Sequence, residues 1–169
     1  MTDDAETDSR ARALRAAAVG FACATAFNSA VAIRDELPGE PLGIRVPLTV
    51  PMALVVGWGA AVAAPWPMPV AALIAAIRAR DPERQGRPAL VCTGLGIAGI
   101  VGILIEPVTH NPKAWTPATC AAVLAHVAGS TALAWTGLRL FVKMRNVTGA
   151  EGEPVARRRA CNGEPSSWD

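Results

Sequence analysis

The chain has 169 residues, a formal charge of +2 and 51% hydrophobic residues, with a mean hydropathy of +0.30. That length is one domain, and the apolar residues fall in long uncharged blocks, which speaks against a soluble bundle whose helices each need a charged face. Four cysteines (Cys23, Cys92, Cys120 and Cys161) form no CxxC and no metal-ligand spacing. No metal, no cofactor and no nucleic-acid partner is expected.

The uncharged blocks cover residues 16–33, 46–77, 89–105 and 118–138, each near the length that spans a bilayer core of roughly 30 Å. The predicted fold class is all-α: an integral membrane four-helix bundle over 16–145, with crossings at about 16–33, 50–77, 89–106 and 117–140. Charge placement orients it. Arg10, Arg12 and Arg15 precede the first crossing, Arg78, Arg80, Arg84 and Arg87 lie between the second and third, and Arg139, Lys143, Arg145 and residues 157–159 follow the last. Only Arg34, Arg45 and Lys113 fall in the other two loops. The positive-inside rule then makes both termini cytoplasmic, in a multi-pass protein of the cell membrane with the lipid bilayer as its first partner.

Residues 1–15 open with Asp3, Asp4, Glu6 and Asp8 and almost nothing apolar, so a disordered cytoplasmic tail is expected. This acidic start also argues against a cleaved signal peptide. The first crossing carries Asn28. At about 100° per residue it shares a face with Ala17, Phe21, Ala24, Thr25 and Ala32, a mostly small-residue surface of the kind helices use to approach each other in lipid. The second block is too long for one straight helix: 32 residues would reach about 48 Å. Pro65, Pro67 and Pro69 interrupt it, and the reading is one crossing kinked or broken near Pro65, a plain kink being the simpler form. Backbone carbonyls freed at a break must face protein or a wet cavity rather than lipid.

The third crossing sorts its side chains. Gly94, Ala98, Gly99, Gly102 and Glu106 fall in one arc, and Gly94-Ala98-Gly102 reads as the ridge for close helix contact, with Glu106 one turn on and pointing inward. Pro107 stops the helix. Thr116-Pro117 starts the fourth crossing, where His126 shares its face with Thr119, Ala122, Gly129, Ser130, Leu133 and Gly137. Residues 146–169 lose apolar character and are expected to form a disordered cytoplasmic tail.

One constellation carries candidate chemistry. Ionisable groups in a membrane span are costly, and therefore candidates for function. Glu106, His126 and Asn28 come from three crossings and are the candidate catalytic group: acid or base, its imidazole partner, and a polariser. His110, Asn111, Thr119 and Ser130 are the candidate ligand contacts. No nucleophile elbow, phosphate loop, metalloprotease or dinucleotide motif occurs. Two function classes follow. One is a binding, transport-accessory or assembly protein with an outward-facing polar pocket for a small lipophilic ligand, expected to be a homo-oligomer. The other is a membrane-embedded enzyme of isomerase or cyclase type, acting on a lipophilic substrate by acid/base chemistry.

Overall fold

The computed structural model describes residues 2–81 and 84–161, and all regular structure among them is helical. The helices are α1 (Thr2–Arg34), α2 (Val50–Val56), α3 (Pro67–Arg78), α4 (Gly86–Ile105) and α5 (Pro117–Cys161). Short 3-10 turns at Pro41–Gly43, Pro107–His110 and Pro112–Ala114 fill the loops. Three stretches are long and apolar enough to cross a membrane: Ala5–Arg34, Gly86–Ile105 and Pro117–Asn146. α3 is a shorter apolar helix.

Proline starts these elements and glycine ends one of them. Pro51, Pro67 and Pro117 stand in the first turns of α2, α3 and α5, where a missing N–H removes no helical bond. α2 ends at Gly57, in the left-handed region at φ 97°, which glycine enters without steric cost. The second block is thus broken, with ten non-helical residues (57–66) between α2 and α3. The simpler reading, a kink, is corrected.

The core lies where α5 packs against α1 on one side and α4 on the other, with α3 against both α1 and α4. On α1 a buried row of Ala11, Leu14, Ala18, Phe21, Thr25, Asn28 and Ala32 alternates by three and four as in a coiled coil, with Ser29 and Val31 buried beside it. On α5 Thr119, Ala122, His126, Ser130, Leu133, Gly137 and Leu140 are buried. Phe21 passes Gly129 so closely that a Cβ there would lie 3.4 Å from the Phe21 backbone.

Three expectations change. Residues 2–15 continue α1 rather than forming a tail: Glu6 pairs with Arg10 and Asp8 with Arg12 one turn apart, and Ala11 and Leu14 extend the buried seam. The backbone of α5 stays helical to Cys161, past the expected tail start at 146, while residues 162–169 lie outside the described residues. On α4 the close-contact ridge is Cys92, Gly96, Gly99 and Ile103, all buried. A Cβ on Gly96 would stand 2.5 Å from the Ala134 backbone nitrogen, whereas Gly94 and Gly102 have nothing within 4 Å. Glycines occur on both sides of α4, so small size alone does not choose the contact face.

Candidate functional site

The break is where side chains and backbone surround a space. Residues 60–64 are buried although they belong to no helix. Their backbone groups are paired locally: Ala60 and Ala63 exchange N–H···O bonds of 3.0 Å, and Trp66 N–H donates to Leu54 C=O at 2.9 Å. The loop after α1 closes over them. Pro38 bridges Ala60, and the Trp58 indole N–H donates to Gly39 C=O at 3.0 Å. A Cβ on Gly39 would come 2.9 Å from Gly59 O, so only glycine permits this approach.

Between this segment and α4 lies a cavity of about 330 Å³. Its walls include Trp58, Val62, Met68, Ala98 and Gly102, and its polar lining side chains are Glu106 and His126. The row Ala98–Gly102–Glu106, expected to pack against a helix, therefore faces this space instead.

His126 stands nine residues into α5, about 13 Å along the axis, and is 4% exposed. Phe21 meets its ring edge-on, with centroids 6.4 Å apart. Nε2 lies 3.0 Å from Gly99 C=O. A carbonyl can only accept, so Nε2 carries a proton, and the Val62 backbone also lies against the ring. Nδ1 is buried and makes no hydrogen bond. Ser130 sits one turn on, its Oγ also without a partner, beside Gly99, where a Cβ would fall 2.5 Å from that oxygen.

Glu106 stands just past the end of α4 and is 7% exposed. Its carboxylate accepts the Glu40 backbone N–H at 3.0 Å, tying the loop after α1 to the end of α4. The expected pairing of Glu106 with His126 is not made. Both line one cavity, but each takes a backbone partner of its own.

The other candidates divide. Asn28 is fully buried on the seam with neither Oδ1 nor Nδ2 bonded, and the adjacent Ser29 Oγ is in the same condition. Asn28 and Ser130 are seam residues and are not among those lining the cavity. Thr119 is buried and its hydroxyl meets Thr116 Oγ1 at 2.9 Å, in the first turn of α5. Asn111 is exposed in the loop. His110 is exposed and its Nε2 donates to Leu104 C=O at 2.9 Å, while Thr109 Oγ1 donates to Ile103 C=O at 2.6 Å. Together they satisfy the carbonyls that Pro107 leaves open at the end of α4, so both belong to the cap and neither lines the cavity.

Sequence reasoning placed an interruption near Pro65 but missed its extent, residues 57–66, and the Gly99 carbonyl that holds the imidazole. The signal was present in Gly57 and Gly59, both at positive φ, which mark the break upstream of the prolines. Among the described residues no group of three potential metal ligands occurs. Comparison with known proteins finds nothing similar: no family matches the chain, and neither does any curated protein or solved structure.

Proposed function

We propose that this chain is a four-pass membrane protein with both termini cytoplasmic, its second crossing made of α2, the break and α3. Its cavity binds a small lipophilic ligand that carries a hydrogen-bond donor. Three long apolar helices support the membrane setting, and the concentration of arginine in the loops at one end supports the orientation. Non-helical backbone at membrane depth is tolerated where it is buried in protein or lines a cavity, as residues 58–65 do here. A volume of about 330 Å³ lies at the small end of ligand pockets.

The observation that carries the reading is the pair of polar side chains, Glu106 and His126, in the lining of an otherwise apolar cavity. A hydroxyl or amine on a hydrophobic molecule would donate to the Glu106 carboxylate, and the His126 imidazole adds a second polar group beside it. The test is mass spectrometry of small molecules carried by the detergent-purified protein, wild type against His126→Phe, which keeps a ring but removes the polar nitrogens. A lipophilic alcohol or amine present in the first and depleted in the second is the expected result. Identical contents in two well-folded samples would refute it.

A second reading, acid/base catalysis on the same ligand, draws on an imidazole and a carboxylate in the lining of one cavity. Its mark is accumulation of a lipophilic precursor in cells carrying Glu106→Gln. Unchanged lipid and metabolite profiles in those cells would leave binding alone.

A further inference from the structure

A second concave site lies at the other end of the molecule, between α3 and α4. This groove encloses about 1300 Å³. Its floor and sides are apolar, with Ala71, Ile74, Ile77 and Val91 along it, and Arg78, Arg80, Arg84 and Arg87 line its mouth. All four arginines are exposed. Arg84 faces Asp81 at 3.5 Å, while Arg78, Arg80 and Arg87 have no carboxylate partner among the described residues.

The order of these groups along the groove is what identifies an occupant. Arg78 ends α3 and Arg87 is the second residue of α4, so the guanidiniums gather where the two helices begin and end. Ala71 lies seven residues back along α3, about 10 Å deeper. α3 has twelve residues and reaches about 18 Å, little more than one leaflet of a core about 30 Å thick. Cationic at the rim and apolar for one leaflet's depth, the groove complements an amphiphile with an anionic head and an acyl chain. A free phosphate or nucleotide would use the rim and leave the apolar walls idle.

From this we infer that the α3–α4 groove is a binding site for one anionic phospholipid, its phosphate held by Arg78 and Arg87 and its acyl chain laid against Ile74 and Val91. The inference rests on the membrane reading but not on the ligand cavity.

The test is native mass spectrometry of the full chain released from nanodiscs of equal parts palmitoyl-oleoyl phosphatidylglycerol and phosphatidylcholine. Wild type should retain one phosphatidylglycerol in preference to phosphatidylcholine. At about 1 kcal/mol for each basic residue near the surface, the double variant Arg78→Gln/Arg87→Gln should bind it about thirty-fold more weakly. Arg12→Gln/Arg15→Gln, on α1 and outside the groove, should not change the retained lipid. Val91→Trp, which fills the apolar wall and spares the arginines, should also displace it. Equal retention of the two lipids, equal loss in the two arginine pairs, or displacement by millimolar inorganic phosphate with no effect of Val91→Trp would each overturn the inference. A chain that stays monodisperse without detergent would overturn this inference and the membrane reading together.

Discussion

At the arginine-rich end, α1, α3, α4 and α5 meet through Ala11, Leu14, Ala18, Ala72, Ala76, Ala89, Cys92 and Leu140. Apart from Ala64 and Ala79, the buried residues there lie in regular helix, and Lys143 reaches across from α5 to Glu6 of α1 at 3.2 Å. At the opposite end the apolar cluster contains Val31, Ala32, Leu54, Val62, Ile103 and Val123, and three of its nine buried residues, Ala60, Val62 and Ala63, lie in the break. There Arg45 pairs with Glu40, and Arg34 with Asp35, whose carboxyl that hydrogen-bonded guanidinium holds below the usual range. Alanine is the commonest residue in both clusters. What separates them is where glycine falls. A glycine facing another helix lets two regular backbones touch, whereas Gly57 and Gly59 at positive φ stop a helix and leave room beside it.

The largest effect should come from the tight seam. Gly96→Leu would drive its side chain into the α5 backbone, where even a Cβ stands 2.5 Å from Ala134 N and 2.6 Å from Ser130 O. A loss of about 3 kcal/mol or more is expected, seen as a collapse of the thermal transition in detergent. Gly94→Leu, two residues away and with nothing within 4 Å, should leave that transition where it is. If the two variants behave alike, α4 is not seated on α5 by its Gly96 face.

That pair also shows where the fold was legible. The seam faces of α1 and α5 could be read from the sequence because each has one stripe of small and polar residues, Phe21–Thr25–Asn28–Ala32 and His126–Ser130–Leu133–Gly137, set against larger apolar neighbours. α4 offers glycine at 94, 96, 99 and 102, on both sides of the helix. Which of them makes contact depends on the partner's own small positions, and no pattern within α4 encodes that. The break was located by its prolines, but prolines begin α2 and α3, and the interruption itself starts at Gly57. In the first fifteen residues the acidic charge was legible, while the i,i+4 pairs that make such a segment helical were overlooked. Of the candidate site, the burial of Asn28, Glu106 and His126 followed from helical faces. The Gly99 and Glu40 backbone partners did not, because they come from elements distant in sequence.

The next effect in size tests the open half. Gly59 sits at φ 86°, and a Cβ there would lie 3.2 Å from Ala63 O and 3.3 Å from Pro65 Cδ. Gly59→Ala should cost about 2 kcal/mol from the left-handed backbone and the crowding together. The damage should stay local. Hydrogen exchange should speed up around residues 57–66 while the amides of α1 and α5 near Leu14 and Leu140 keep their protection. Loss of protection at both ends at once would mean that the two halves open as one unit, and the contrast drawn between them would fail.

The smallest effect concerns Glu106, which joins the open half to the end of α4. Its carboxylate accepts one N–H, from Glu40, and a glutamine side-chain oxygen can accept the same bond. Glu106→Gln should therefore change stability by less than about 1 kcal/mol, whereas Glu106→Ala, which leaves the Glu40 N–H without its partner, should cost about 1–3 kcal/mol. Denaturation in detergent compares the two directly. A small cost for Gln and a larger one for Ala assigns the structural work to the hydrogen bond and leaves the negative charge free for ligand contact. Equal costs would mean that the charge itself holds the loop in place. Glu106 would then belong to the scaffold of the cavity, and ligand recognition would fall to His126.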